Sequence, residues 1–247
     1  MPHDFFFYFF AALAGLLMGF SKTGIPGVST PAVAIMAAAF SHNAEASVGA
    51  MLPVLLTCDV FAVTYYRRHA QWNWLVGLLP YAVLGMIPGY LVLYFFEGNQ
   101  LRPILGILII SLFCLELARR KFAWNKIPQR AGFVIVLGIL TGFSTMVGNA
   151  AGPVMALYLI ACGLDKEQFI GTSAWFFFIL NLTKVVPFWS QGMLTPEILG
   201  TSTWVACVAV CGALLGIYLL PKIPQRIFDR LVIALTGIAG LWLLIPS

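Results

Sequence analysis

Residues 19–31 read Gly19-Phe20-Ser21-Lys22-Thr23-Gly24-Ile25-Pro26-Gly27-Val28-Ser29-Thr30-Pro31. The stretch lies between two apolar runs, 5–19 and 32–40. Each run is short for a bilayer crossing, which needs about 20 residues. Three glycines, two prolines, four hydroxyls and a lysine break a helix and free backbone groups. In hydrocarbon such a break survives only where it is buried in protein or lines a cavity. A second break follows at 142–153, Gly142-Phe143-Ser144-Thr145-Met146-Val147-Gly148-Asn149-Ala150-Ala151-Gly152-Pro153. Two polar breaks at matching places in two apolar halves point to a transporter binding site.

Composition sets the class. Of 247 residues, 61% are hydrophobic and 9% charged, against about 25% charged in soluble domains. The fold expected is an all-α polytopic membrane protein. No basic leader or small-residue cleavage site is evident, so residues from Phe5 onward are read as mature structure. Ten of the fourteen basic residues fall in the clusters 67–68, 119–130 and 222–230. That is the pattern of cytoplasmic loops, not of a nucleic-acid surface. The five cysteines, Cys58, Cys114, Cys162, Cys207 and Cys211, all lie in apolar segments without metal-ligand spacing. No metal and no cofactor is expected.

The two halves overlay. Gly19-Phe20-Ser21 falls on Gly142-Phe143-Ser144, Pro31 on Pro153, Gly49 on Gly171 and Asp59 on Asn181. Gly85 and Gly89 fall on Gly212 and Gly216. The offset drifts from 123 to 122 and then to 127, so insertions sit in loops. The first repeat is 1–120, a basic cytoplasmic linker is 121–130, and the second repeat is 131–247. Each repeat holds a broken short-helix pair, re-entrant or crossing as two thin spans, and three transmembrane helices. Five segments per half turn the second half upside down. With Arg67 and Arg68 inside, the cluster 119–130, Lys166, Lys222 and Arg226 also fall inside. The loop 190–197, which has no Lys or Arg, then falls outside with both termini.

These features resemble the sulfite exporter TauE/SafE family, also called the 4-toluene sulfonate uptake permeases. The resemblance rests on the two Gly-Phe-Ser breaks ending in Pro31 and Pro153. It rests also on Ser47-Val48-Gly49 opening the third segment and on Trp72 and Trp74 after the basic loop. It covers nearly the whole chain. Many members carry consecutive glycines in each break; here the runs are loosened to Lys22-Thr23-Gly24-Ile25-Pro26-Gly27 and Gly148-Asn149-Ala150-Ala151-Gly152. The resemblance implies transport of a sulfur-containing anion: sulfite, a sulfonate or a sulfoacetate-like compound.

The candidate site follows from the residues. Helices starting near 30–32 and at Val154 present free N–H groups and a partial positive charge, which suits an anion. Ser21, Thr23, Ser29, Thr30, Ser144, Thr145 and Asn149 are expected to add donors, with Gly24, Gly27, Gly148 and Gly152 allowing close approach. The alternative for the hydroxyls is capping or bonding back to the preceding turn. Lys22, within a break, costs about 2.5–3.5 kcal/mol at the bilayer centre unless an anion or Asp59 offsets it, or unless it snorkels. Asp59 is a proton-coupling carboxylate or an ion-pair partner. Asn181 and Lys184 lie on the equivalent helix face, Lys184 as a substrate contact or a structural pair. Glu116 reads as salt-bridged at the interface, His42 and His69 as solvated, and the aromatic run 175–178 as packing or lipid-facing.

The expected function is secondary transport of a small anion across the inner membrane by alternating access, coupled to a proton or sodium. An anion channel and a carrier of a non-sulfur carboxylate are the alternatives. No paired carboxylates, His–Glu metal spacing or Gly-x-Ser-x-Gly occur, so no enzyme is expected. The partners are the anion and the bilayer; no nucleic acid is expected, and a homodimer is allowed.

Overall fold

The computed structural model describes residues 5–40, 44–96, 131–228, 230, 231 and 234. The expected third span of the first half, the basic linker, most of the last span, His42, Cys114 and Glu116 lie outside the described residues. The described residues form helices and short turns without strands.

Helix α1 covers Phe5–Thr23 and buries Phe7, Ala11, Ala14, Gly15 and Met18, a stripe spaced three and four apart. Its other faces leave Phe5, Phe6 and Phe9 exposed, as suits a lipid-facing surface. A 3-10 turn, Pro26–Val28, leads to α2, Ser29–Ala39. Helix α3 is Ala44–Tyr66 and α4 is Trp72–Phe95, joined by the turn Arg67–His69. The second half has α5, Ala131–Gly148, and α6, Gly152–Ala161. It continues with α7, Lys166–Ser190, and α8, Pro196–Leu219. Helix α7 starts with a capping box between Asp165 and Gln168, and Thr195 caps α8. Five helices are long and apolar enough to span a bilayer: Phe5–Thr23, Glu45–His69, Trp72–Phe95, Lys166–Ser190 and Pro196–Lys222. The chain is an all-α, multi-pass membrane protein.

Both breaks are shorter than the sequence suggested. Helix α1 runs four residues past Gly19, to Thr23, and α5 runs through Ser144 to Gly148. The hydroxyls there do not compete with the helix. Ser144 bonds back to the carbonyl of Leu140, and Thr23, with the Gly19 carbonyl a longer second acceptor at 3.3 Å, donates mainly across to Ala213, while the backbone stays helical. Helix α1 ends where Pro26 forces the residue before it out of the helical region; Ile25 is extended at φ −115°, ψ 104°. Helix α5 ends at Asn149, whose φ of 54° is left-handed. Asn is tolerated in that conformation and here takes the place a glycine usually fills.

Packing uses two close seams, α1 on α8 and α4 on α5. A Cβ at Gly19 would stand 1.8 Å from the Ala209 carbonyl oxygen, and one at Gly212 would stand 2.0 Å from that of Leu16. In the other seam the values are 1.8 Å for Gly142 against Ala82 and 2.1 Å for Gly85 against Ile139. Only glycine permits this approach, the usual device for packing helices in lipid. Under the overlay the residues of one seam fall on those of the other: 16 and 19 on 139 and 142, and 82 and 85 on 209 and 212.

Helices α3 and α7 run antiparallel. Gly49, near the start of α3, abuts the Met193 carbonyl beyond the end of α7, while Gly171, near the start of α7, abuts the Tyr66 carbonyl at the end of α3. The turns Arg67–His69, 163–166 and Leu220–Lys222 therefore gather at one end. Lys166 Nζ ties two of them together by donating to the carbonyls of Leu220, Pro221 and Ile223 at 3.1, 3.1 and 2.8 Å. Loop 190–197 lies at the opposite end. His69, expected to be solvated, has its Nδ1 3.4 Å from Glu167. Helices α2 and α6 have only 11 and 10 residues, rising about 16 and 15 Å. That is about half the hydrocarbon thickness.

Candidate functional site

The two breaks meet. A Cβ at Gly152, the first residue of α6, would stand 2.5 Å from Ser29 Oγ, at the first residue of α2. Neither helix N-terminus carries a side-chain cap, since Val28 and Ala151 precede them. Beside this junction lies a cavity of about 30 Å³. At about 10–15 Å³ per water, it has room for two or three waters or one small oxyanion. Met18, Ser21 and Lys22 line it from α1, Pro26 and Ser29 from the first break, and Leu55 from α3. Thr145, Asn149 and Gly152 close it from the second break, and Ser173, Phe177 and Asn181 from α7.

Lys22 sits at the rim, 10% exposed, with its Nζ 2.7 Å from Asp59 Oδ1 and 4.3 Å from the centre of the Phe177 ring. Asp59 has no exposure. Its Oδ2 accepts from Asn181 Nδ2, on the antiparallel helix. The two positions that the overlay equates are thus in direct contact. An isolated buried carboxylate is costly; one ammonium and one amide satisfy this one. The snorkelling alternative for Lys22 does not describe its position. The offset by Asp59 does.

Lys184 is fully buried and bonds inward to protein: to the Thr145 carbonyl and Oγ1, both at 3.2 Å, and to Asn149 Oδ1. Asn149 Nδ2 in turn donates to the Val48 carbonyl at 3.3 Å. Lys184 therefore holds the left-handed residue of the second break in place from outside the cavity lining.

Four of the hydroxyls expected to donate to an anion, those of Ser21, Thr23, Ser29 and Ser144, donate to carbonyls instead. Ser21 and Ser29 both donate to the Pro26 carbonyl at 2.8 Å. Thr23 donates to the Ala213 carbonyl at 2.7 Å, across the α1–α8 seam, and its own carbonyl accepts from the Tyr66 hydroxyl at 3.2 Å. Ser144 bonds to Leu140 at 2.6 Å, away from the cavity. Gly24 packs against Gly216, Gly27 lies in the Pro26–Val28 turn, and Gly148 ends α5. The side chain of Thr30 lies outside the described residues. Of the proposed set, Ser21, Lys22, Ser29, Thr145, Asn149, Gly152 and Asn181 come together around one cavity.

Met18, Leu55, Ser173 and Phe177 were not foreseen. A signal was present: Ser173, Phe177, Asn181 and Lys184 are spaced four, four and three apart on α7, one helical face. Leu55 and Met18 likewise precede Asp59 and Lys22 by four.

Helices of this kind around a shared central cavity define a polytopic α-helical membrane protein with an internal polar site. The model of the sulfite exporter TauE/SafE family matches residues 7–243. The chain belongs to this family of membrane transporters. No curated protein and no solved structure matches it.

Proposed function

We propose that the protein is a secondary transporter of a small sulfur-containing anion, sulfite or a compact sulfonate, in the inner membrane. The observation that carries this reading is the cavity at the junction of the two breaks, with Lys22 at its rim. Two uncapped helix N-termini and one ammonium converge there. Partial and full positive charge suit an oxyanion, and the family's name supplies the sulfur chemistry. The antiparallel α3 and α7 and the two matching glycine seams support two halves related as an inverted repeat. Rocking of one half against the other would expose the cavity to each side in turn.

Asp59 has two roles in this mechanism. In the empty protein it is the counter-ion of Lys22. When an anion takes over that ammonium, Asp59 loses its charge partner in a buried place, and a proton taken up on Oδ1, the oxygen that Lys22 leaves, restores neutrality while Oδ2 goes on accepting from Asn181. Anion and proton then move together.

The test is calorimetric binding of sulfite to the purified protein and to Lys22→Met, which keeps the stem and removes the charge. Binding should loosen at least about tenfold, or about 1.4 kcal/mol. Near wild-type affinity in Lys22→Met would remove Lys22 from the site.

A further inference from the structure

The cavity has two chemically different sides. One side donates: the Lys22 ammonium and the N–H of Gly152, the first residue of α6; in α2 the Ser29 N–H is spent on the Pro26 carbonyl, and Pro31 and Pro153 have none. The other accepts. Ser21 and Ser29 spend their only O–H on Pro26, and Ser173 spends its own on the Ile170 carbonyl at 3.0 Å. A hydroxyl has one proton, so these three oxygens offer lone pairs to the cavity. Thr145 Oγ1 accepts from Lys184 and keeps its own O–H, so it stands with the donors.

Asn181 is the sharpest case. It lines the cavity, is 1% exposed, and its Oδ1 has no hydrogen-bond partner. Its orientation is set by Asp59 Oδ2, the oxygen that carries no proton and only accepts, so the amide must turn its N–H toward Asp59 and its carbonyl away. A buried acceptor left without a donor is costly. A fully ionised oxyanion has no donor to give it. Lone pairs of the ligand would face lone pairs of Asn181, Ser21, Ser29 and Ser173.

We propose that the cavity selects an anion that also carries a hydrogen-bond donor, with Asn181 Oδ1 accepting from it. Its class is a singly protonated oxyanion or a sulfonate bearing an N–H or O–H beside the sulfur. The negative end lies toward Lys22 and the helix N-termini, and the donor end toward Asn181. The inference rests on the anion-site reading and adds the protonation state of the cargo to it.

The probes are sulfamate and methanesulfonate. Both are tetrahedral monoanions of nearly equal size, one ending in NH₂ and the other in CH₃. Binding of each, and of sulfite, is measured by calorimetry on the full chain in detergent. Sulfamate should bind about tenfold or more tighter than methanesulfonate, the effect of one buried acceptor gaining its donor. In Asn181→Leu the ratio of the two affinities should shrink below about threefold, whatever the change in either affinity alone. Equal affinities in the wild type, or a preference that survives Asn181→Leu, would overturn the donor requirement and leave the anion site standing. Should Asn181→Leu not fold, the wild-type ratio decides alone. Failure of all three anions to bind would bring down the anion site and this inference with it.

Discussion

Lys22 and Lys184 are both enclosed ammonium groups, and the protein handles them differently. Lys184 finds neutral oxygens of Thr145 and Asn149 and braces the second break. Lys22 finds a full negative charge in Asp59 and the face of Phe177. Only Lys22 reaches the cavity, so only there would a bound anion compete with a carboxylate. Asp59→Asn keeps volume and removes that competition. Lys22 is then left without a counter-charge, and losing one partner of a buried pair costs about 3–5 kcal/mol at most. We expect a lower melting temperature without ligand and a larger upward shift with sulfite than in the wild type, because the anion becomes the counter-ion. With methanesulfonate, whose own charge does not change over the working range, the pH dependence of uptake should disappear. An unchanged thermal response to sulfite, with pH dependence retained, would make Asp59 purely structural. The same reasoning applies to Lys22→Met: removing the ammonium strands Asp59, so that variant should be less stable than the wild type without substrate.

Charges in apolar spans were legible in the sequence because few causes put them there, and Lys22, Asp59 and Lys184 stood out for that reason, with Asn181 marked by falling on Asp59 in the overlay. Their partners were less so. A hydroxyl looks the same on paper whether it faces a ligand or a carbonyl one turn back. Only the path of the backbone through Ser21 and Ser144 decides between them. Phe177 was concealed within the aromatic run 175–178 and Ser173 just ahead of it, although their spacing from Asn181, four and eight residues, was readable.

At the scale of elements, helices run further into both expected breaks than the sequence suggested, to Thr23 and to Gly148. Glycine and proline mark where a helix can stop, and in lipid the cost of unpaired backbone pushes the helix on to the last residue that geometry allows. For α1 that is Thr23, ahead of Ile25 and Pro26; for α5 it is Gly148, ahead of left-handed Asn149. The glycines at 19, 85, 142 and 212 proved to be contact surfaces. Gly142→Ala would set a methyl 1.8 Å from the Ala82 oxygen and should destabilise by about 1–3 kcal/mol. Gly77 is the control, a glycine inside α4 with no atom within 4 Å of its Cβ position. Gly77→Ala should stabilise by up to about 1 kcal/mol. Thermal denaturation in detergent measures both. Equal effects of the two would mean that the α4–α5 seam is looser than the structure has it.

For the whole molecule, the basic turns gather at one end and loop 190–197 at the other. We expect single cysteines placed in 67–69 and 222–226 to label from the cytoplasm, and those in 190–197 from outside. Labelling of 190–197 from the same side as residue 222 would contradict both the fold and the inverted arrangement.

The shortness of α2 and α6 has an electrical consequence. Two helices about half as long as the hydrocarbon is thick meet end to end beside the cavity. Whatever passes between them crosses the insulating part of the membrane over a short distance, and the transmembrane voltage drops across that distance. An elementary charge moved through it gains or loses about 2.3 kcal/mol per 100 mV. An anion travelling alone feels that whole force, whereas an anion escorted by a proton on Asp59 is electrically silent. The 2.7 Å contact between Lys22 and Asp59 therefore bears on whether transport carries current.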